Sequence, residues 1–319
     1  VAPITGALTG VGYTNDTRPV VQVSLSGTNA VVGDTVQLYN GIDTANQLGA
    51  SYVLTSTDIA NRYANVQPGT LSNGSSYTIT ARITDAAGNQ SAVSTNSSVV
   101  TVDTTAPTVS GVSLTGASGA QNNTLNAGDV VTATVTMSEA VTVTGSPTLS
   151  LTVGSTAVTA TYDAASSTST ALAFKYTIQS GQTDANGISL GANGLSLNGG
   201  TINDAAGNTA TLSYAAVTDN ASYLVDTTSP TPTVSTTTIK NTGSVTVQSS
   251  EVGTAYLVNN AVTVTDVSSI TSALDNQWNS VSISTANSNT SLSASGLADG
   301  VYRVYVADAL GNLSSASAN

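Results

Sequence analysis

The chain has 319 residues, a net charge of −12, and neither His nor Cys. Enzymes usually rely on a group that titrates near neutrality or on a strong nucleophile, so this composition argues against catalysis. The negative charge would repel a phosphate backbone, and no run of eighteen apolar residues is present; we therefore expect neither nucleic-acid binding nor membrane insertion.

The first segment, residues 1–103, has the alternation of β-strands. In the run Ser76–Thr84 (S-Y-T-I-T-A-R-I-T), apolar and polar side chains fall on opposite faces. The preceding L-S-N-G sequence and Tyr77 are typical of a tyrosine corner, in which the Tyr hydroxyl bonds back to the upstream backbone. The sequence D-A-A-G-N at Asp85–Asn89 then predicts the hairpin between the last two strands.

The second segment, residues 104–226, contains the strand pattern V-V-T-A-T-V-T-M at Val130–Met137. It repeats D-A-A-G-N at Asp204–Asn208, which predicts a second hairpin of the same kind. This segment is longer than the first, and its stretch Thr183–Gly200 is rich in turn dipeptides. We interpret that stretch as an extra loop or hairpin.

The third segment, residues 227–319, has a strand pattern at Val301–Val306 and a D-A-L-G-N hairpin at Asp308–Asn312. An L-A-D-G sequence precedes Tyr302 and predicts a second tyrosine corner. The stretch Ser268–Trp278 could hold one short helix. Only seven residues follow Asn312, whereas the first segment continues for fourteen residues after Asn89, to Asp103, so we expect the final strand to be incomplete.

A linker of the form Asp-Thr-x-(x)-Pro accompanies each segment, at Asp16–Pro19, Asp103–Pro107 and Asp226–Pro230. The repeated order of linker, strands and hairpin predicts an internal repeat. The sequence therefore predicts an all-β protein of three tandem immunoglobulin-like β-sandwich domains in an extended rod. The predicted domains are residues 1–103, 104–226 and 227–319.

The acidic residues recur at matching places in this repeat. In an immunoglobulin-type sandwich, the start of the first strand, the end of the second and the end of the penultimate strand lie at one pole. For the second domain this pole would bring together Asp103, Glu139 and Asp204. For the third domain the equivalents are Asp226, Glu251 and Asp308, and the two Glu are the only ones in the chain.

Three converging carboxylates would repel one another, and calcium selects hard oxygen ligands in flexible geometry. We therefore expect one Ca²⁺ at each domain junction. The first domain offers only Asp16 and Asp85 without a Glu, which predicts a site that is weaker or that needs a preceding domain. The alternative is that each Asp simply bonds the backbone of its own turn, with no metal.

The D-A-A-G-N hairpins, the V-D-T-T-A-P linker and the stretch L-N-A-G-D-V-V-T-A-T-V-T-M-S-E-A resemble the bacterial immunoglobulin-like repeats of giant secreted adhesins. These are type I-secreted, biofilm-associated surface proteins. The resemblance covers essentially the whole chain. It implies an extracellular extender region at the bacterial cell surface, with calcium stiffening the linkers after export.

The sequence thus favours a spacer whose partners are neighbouring repeats in the same chain, with host-cell or matrix ligands bound by other domains. Two alternatives remain open at this point. A surface-layer or filament subunit would need lateral contacts, and a glycan- or protein-binding module would need a distinctive patch on one domain only. The recurrence of the acids once per repeat favours the spacer.

Overall fold

The computed structural model describes residues 12–94, 98–235 and 238–317. The described chain is almost entirely β, and its strands pair only within three successive stretches. We name these the first unit (residues 12–102), the second unit (residues 107–226) and the third unit (residues 231–317). The domain boundaries at residues 103 and 226 stay predictions. None of the helices among the described residues has the length and apolar character needed to cross a membrane.

The first unit has seven strands and one short helix. Its sheets have the strand orders β1-β7-β6-β3-β4 and β2-β5. The bounds are β1 Tyr13–Thr14, β2 Val21–Ser24, β3 Thr35–Asn40, β4 Tyr52–Val53, α1 Ser56–Asn61, β5 Tyr63–Val66, β6 Ser76–Thr84 and β7 Ser98–Val102.

The second unit has a six-stranded sheet of order β16-β12-β13-β14-β10-β8 and two small sheets, β11-β17 and β15-β18-β9. A 3₁₀ turn at Ala164–Ser166 precedes β14. The strands are β8 Val109–Ser118, β9 Thr124–Leu125, β10 Val130–Met137, β11 Thr142–Thr144, β12 Thr148–Val153, β13 Thr156–Tyr162, β14 Ala171–Thr177, β15 Thr183–Asp184, β16 Leu195–Ser196, β17 Thr201–Asn203 and β18 Leu224–Asp226.

The third unit is a sandwich of two three-stranded sheets, β19-β20-β23 and β22-β21-β24. The first sheet joins strands one, two and five of the unit, and the second joins strands three, four and six. This division of strands is that of an immunoglobulin-like sandwich. The bounds are β19 Pro232–Val234, β20 Ser244–Ser249, β21 Gly253–Asn259, α2 Val267–Thr271, β22 Trp278–Ile283, β23 Thr290–Ser293 and β24 Tyr302–Ala307.

Each unit has its own hydrophobic core, built by the alternating strand residues. Along β10 the side chains of Val131, Ala133 and Val135 are fully buried, whereas the intervening Thr residues are not. Phe174 of β14 lies fully buried in the same core. The first unit has a separate core of this kind around Leu38 and Ile79, and the third around Val247 and Leu257. Alternation places one face of each strand inward, as the sequence pattern predicts.

The three predicted D-A-x-G-N turns are present, although in the second unit the last strand, β18, pairs with β15 and β9 and not with β17. In the first, Asp85 N–H donates to the Asn89 carbonyl at 2.9 Å, and Gly88 has φ +88°. The same backbone bond links Asp204 to Asn208 and Asp308 to Asn312. Gly adopts a positive φ without a steric penalty, so the turn favours Gly at this position of the motif.

Both predicted tyrosine corners are also present. The Tyr77 hydroxyl accepts a hydrogen bond from Ser72 N–H at 2.8 Å. The Tyr302 hydroxyl donates to the Ala298 carbonyl at 2.8 Å. Each corner fixes the loop that leads into the strand preceding the D-A-x-G-N turn of its unit.

The short helix expected within Ser268–Trp278 is present as α2, Val267–Thr271. Local structure departs from prediction in two other places. The stretch Thr183–Gly200 forms neither a free loop nor a hairpin, since β15 pairs with β18 and β16 with β12. Helix α1 was not predicted, although Thr55 and Asp58 form a capping box at its start.

Candidate metal centres

The linker Asp of each junction follows directly from the last strand of the preceding unit. Asp103 comes after β7 and donates its N–H to the Thr14 carbonyl at 2.9 Å. Its Oδ1 accepts the N–H of Thr105 at 3.0 Å. Asp226 ends β18 and bonds the N–H of Thr228 in the same way, at 2.9 Å. Each Asp therefore closes a short turn that sets the direction of its carboxylate.

The preceding unit holds each linker by the residues that follow the Asp. In the first linker, Thr104 N–H donates to Asn73 Oδ1 at 2.8 Å, and Asn73 Nδ2 donates to Thr105 Oγ1 at 2.9 Å. In the second, the buried Thr227 donates from Oγ1 to the Gln182 carbonyl at 2.9 Å. The first residues of each linker are thus hydrogen-bonded to the preceding unit.

The two Glu residues lie just after the second long strand of their units and are positioned by the Ser before them. Ser138 N–H donates to the Thr108 carbonyl at 2.8 Å, and Thr108 N–H donates to Ser138 Oγ at 2.9 Å. Ser250 and Thr231 make the same reciprocal pair, at 3.1 and 2.9 Å. Each Thr directly follows the linker Pro. The reciprocal Ser–Thr hydrogen bonds therefore hold the adjacent Glu close to the linker.

The hairpin Asp is oriented by its own turn. Asp204 Oδ1 accepts the N–H groups of Ala206 and Asn208 at 2.9 and 2.8 Å, and its Oδ2 accepts Asn208 Nδ2 at 2.7 Å. Asp308 makes the equivalent three bonds with Leu310 and Asn312. These bonds use both lone pairs of each Oδ1 and one of each Oδ2, which leaves one lone pair of Oδ2 for a further ligand.

The structure brings the predicted acids together in two clusters of three. One oxygen each from Asp103, Glu139 and Asp204 lies within 4.8 Å of the others. The same limit holds for Asp226, Glu251 and Asp308. We name these the first and second carboxylate clusters. Asp204 is buried, with 6 % of its surface exposed, and the other five residues are partly buried.

The hairpin Asn completes each cluster and was not among the predicted site residues. Asn208 Nδ2 donates to the Asp103 carbonyl at 2.8 Å as well as to Asp204. Asn312 bonds the Asp226 carbonyl in the same way, at 3.0 Å. The Asn that ends each D-A-x-G-N motif was the sequence signal that could have indicated this role. The amide of each Asn thus ties the backbone of the linker Asp to the hairpin Asp of the following unit.

The carboxylate clusters are electrostatically strained. Burial, followed by the charges of Asp103 and Asp204, raises the pKa of Glu139 above its ordinary value. Burial, followed by the charges of Asp226 and Asp308, raises the pKa of Glu251 likewise. No cation contributes to either shift among the described residues. A divalent cation bound between the three carboxylates would offset this repulsion.

The donor set fits calcium. Ca²⁺ takes six to eight oxygen ligands, including carboxylates, backbone carbonyls and water. Three carboxylates on separate loops can supply part of that shell. A cavity of about 370 Å³ adjoins the second carboxylate cluster and is also lined by Ser250, Val252 and Leu310, which leaves room for water ligands.

Without metal, the raised pKa values predict a pH effect on stability. A Glu whose pKa is higher in the folded state than in the unfolded state binds its proton more tightly when folded. Its contribution to stability therefore falls as the pH rises from the ordinary Glu pKa through the raised value. We expect Glu139→Gln plus Glu251→Gln to remove this fall.

The measurement is urea unfolding of the metal-free parent and double variant over a pH series. Several Asp residues, such as Asp58 and Asp163, have a lowered pKa, and their stability contributions change in the opposite direction. The contribution of the two Glu residues is therefore the difference in unfolding free energy between the parent and the double variant at each pH. If that difference does not change with pH, the expected Glu effect is absent.

Asp16 and Asp85 do not form a third cluster. Asp16 follows β1, which pairs with β7 so that Thr14 lies opposite Val102. Asp85 follows the other end of β6, and the nine residues of that strand separate the two Asp by about 27 Å. Asp16–Pro19 resembles the two linkers in sequence but not in position. It forms the turn into β2, and it lies at the pole of the first unit from which the chain continues to the second unit.

Each of these two Asp residues bonds its own turn. Asp16 Oδ1 accepts the Arg18 N–H at 2.8 Å. Asp85 accepts the N–H groups of Ala87 and Asn89 and the side-chain amide of Asn89. For these two residues, turn bonding alone accounts for the contacts observed.

Comparisons with protein-family models and with curated proteins give no match. Among solved structures, fibronectin(III)-like modules of Clostridium thermocellum CbhA show 16 % identity and a TM-score of 0.27, covering 66 % of this chain and 88 % of that one. Domains FN1–FN3 of chicken CNTN1 show 10 % identity and a TM-score of 0.25, covering 97 % and 96 %.

A third similar structure is the α-L-rhamnosidase from Dictyoglumus thermophilum, at 8 % identity and a TM-score of 0.21. The match covers 78 % of this chain and 38 % of that protein. At TM-scores this low, the similarities carry no functional argument. The immunoglobulin-like assignment of the units rests instead on their strand pairing.

Proposed function

We propose that the chain is a calcium-stiffened spacer, the extender region of a bacterial cell-surface adhesin that projects a distal binding domain for adhesion or biofilm formation. The observation that carries this proposal is the recurrence of one carboxylate cluster, with the same hydrogen-bond frame, at the start of two successive units. A site that recurs once per repeat suits a junction better than a catalytic or ligand-binding centre.

The mechanical role follows from what each cluster joins. The linker is fastened to the preceding unit by Thr104 and Thr227. Its Asp shares a cluster with a Glu and a hairpin Asp of the following unit. A Ca²⁺ bound there would join the linker to two loops of that unit and restrain the hinge between units. The linker Pro residues add restraint, since Pro fixes its own φ and limits the residue before it.

The expected setting is the bacterial cell surface. Extracellular calcium modules commonly bind with dissociation constants in the 10⁻⁴–10⁻³ M range, so loading of such a spacer would occur after export. The partners are then the neighbouring repeats of the same chain, and recognition of host cells or matrix belongs to other domains. We propose no enzymatic activity, because the chain has no His and no Cys.

Isothermal titration of the metal-free protein with CaCl₂ tests the binding step. We expect two ions per chain. Glu139→Gln and Glu251→Gln should each weaken one of the two sites by at least about tenfold, since even the loss of an outer-shell partner costs about 10–100-fold in metal affinity. The double variant should lose both sites.

The matched control is Asp275→Asn, which removes an exposed acid outside both carboxylate clusters. It should bind two ions like the parent. If the double variant binds calcium as the parent does, the carboxylate clusters are not calcium sites and the proposal fails.

A further inference from the structure

We propose that two side chains of the second unit hold the D-A-L-G-N hairpin of the third unit in place without metal, and so position Asp308 for the ion of the second carboxylate cluster. Asn126 Nδ2 donates to the Leu310 carbonyl at 2.8 Å, and Gln121 Nε2 donates to the same oxygen at 3.3 Å. We name Gln121, Asn126 and Leu310 the amide latch. It joins two units through neutral groups only.

The stronger donor of the amide latch lies in a turn with a fixed backbone. Asn126 N–H donates to Asp129 Oδ2 at 2.8 Å, and Asp129 N–H donates to the Asn126 carbonyl at 3.2 Å. Gly128 N–H is bonded to the Ile178 carbonyl at 3.0 Å. The preceding Leu125 is fully buried. Because its backbone is fixed, the Asn126 amide reaches across the junction at a low cost in conformational entropy.

The second donor lies at the start of a two-residue hairpin turn, Gln121–Thr124. Backbone hydrogen bonds at 2.8 and 2.9 Å close this turn in both directions. Its central residues, Asn122 and Asn123, have φ +49° and +64°, which is typical of a type I′ turn. Leu224 N–H donates to the Asn123 carbonyl at 2.9 Å. Since Leu224 begins β18, the turn is anchored to the strand that ends at Asp226.

The acceptor of the amide latch belongs to the hairpin that carries Asp308. Leu310 N–H donates to Asp308 Oδ1 at 2.8 Å. Asp226 ends the last strand of the second unit, whereas Asp308 lies in the third unit. A latch between these units therefore restrains the separation of the two Asp residues before an ion binds, and it opposes their mutual repulsion. Such preorganisation lowers the cost of binding.

The first unit has the same turn without the donor. Val31 N–H donates to Asp34 Oδ2 at 2.9 Å, and Asp34 N–H donates to the Val31 carbonyl at 3.2 Å. Gly33 has φ +96°, as Gly128 has φ +95°. Val31 therefore occupies the position of Asn126, but its side chain has no hydrogen-bond donor. Val31 is 59 % exposed. The first junction thus lacks the stronger bond of the amide latch.

The two ion sites are then unequal, a conclusion that rests on the proposed function. Both carboxylate clusters consist of two Asp and one Glu, so their donor sets do not distinguish them. The amide latch restrains only the second cluster. That cluster should therefore bind calcium more tightly, and the junction between the second and third units should stiffen at a lower calcium concentration than the junction before it.

The amide latch itself is tested in metal-free protein. Pulsed electron-spin distances are measured between labels at Ser155→Cys and Ser284→Cys, which are exposed positions of the second and third units. Gln121→Ala plus Asn126→Val, the latch-free variant, should broaden the distance distribution. The matched control is Ala127→Val, an exposed neighbour in the same turn, which should leave the distribution as in the parent. Equal metal-free widths in all three proteins would overturn the proposal.

Both valine replacements suit the turn, because Val31 and Val32 occupy these two positions in the first unit. The latch-free variant also keeps the backbone bonds of the turn, since Asn126 N–H and the Asn126 carbonyl are the groups that bond Asp129. A broader distribution in the latch-free variant but not in Ala127→Val would therefore report the loss of the two side-chain amides.

The positioning role is tested by calcium titration of single-site proteins. Glu139→Gln leaves the second site and Glu251→Gln leaves the first. We expect the second site to bind at least about threefold more tightly, the scale set by one net hydrogen bond. Removing the amide latch should abolish this advantage in Glu139→Gln and should leave calcium binding by Glu251→Gln unchanged.

Equal affinities in the two single-site proteins would overturn the positioning role, and so would an advantage that survives removal of the amide latch. If neither protein binds calcium, the proposed function and the order of loading fail together. In that case the metal-free distance distributions still decide whether the amide latch restrains the junction. The two failures are therefore distinguishable.

Discussion

Calcium should convert a broad distribution of distances between the first and second units into a narrow one. The linker between them is short, and Asn208 already ties its Asp103 carbonyl to the second unit. The carboxylate repulsion in the metal-free state opposes closure of this junction, and a bound Ca²⁺ would reverse the sign of that interaction. The measurement is a pulsed electron-spin distance between labels at Ser51→Cys and Ser155→Cys.

The design exploits the absence of native Cys, and both positions are exposed. Glu139→Gln should keep the distribution broad in calcium. A second label pair, Ser155→Cys with Ser284→Cys, reports the other junction and should still narrow in that variant. If calcium does not change the width of the distance distribution at either junction, the carboxylate clusters do not stiffen the chain, even if they bind the ion.

The sequence was sufficient to locate the two carboxylate clusters because each member is tied to a feature readable in one dimension. Asp204 and Asp308 open hairpins with a fixed motif, and Glu139 and Glu251 end alternating strands. Strand direction then places these ends at one pole. The hydrogen bonds observed in the structure refine this picture by adding Asn208 and Asn312.

The position of Asp16 could not be predicted in this way. Its motif shares letters with the true linkers, but its location depends on the parallel pairing of β1 with β7. That pairing joins residues nearly ninety positions apart, such as Thr14 and Val102, and local sequence does not encode it. The stretch Thr183–Gly200 fails for the same reason, because its turn residues do not reveal that Ile188 and Leu190 enter the core.

The short helix predicted within Ser268–Trp278 is present as α2, but the sequence did not show that a strand begins at Trp278. Short apolar runs with mixed spacing suit a helix or a strand equally well, and tertiary contacts decide between them. Here β22 pairs with β21, which places Trp278 opposite Val258. The two side chains join a small core on the outer face of that sheet, covered by Ile270 of α2.

Calcium should raise the unfolding temperature of the third unit, monitored by Trp278 fluorescence, by about 10 to 20 °C at a hundredfold excess over the dissociation constant. Ligand binding at that excess adds about 2.7 kcal/mol to the folded state. A domain of this size shifts by about 4–8 °C per kcal/mol. The responsible ion is the one at the second carboxylate cluster, since Glu251 and Asp308 belong to the third unit.

The two Glu variants separate this effect from general stabilisation. Glu251→Gln should abolish the calcium shift at Trp278, whereas Glu139→Gln should preserve it, because Glu139 belongs to the first carboxylate cluster. In metal-free protein Glu251→Gln should unfold no earlier than the parent, since it removes a charge whose pKa is raised by burial and by Asp226 and Asp308. An equal calcium shift in all three proteins would contradict the assignment, because a stabilising ion would then lie elsewhere.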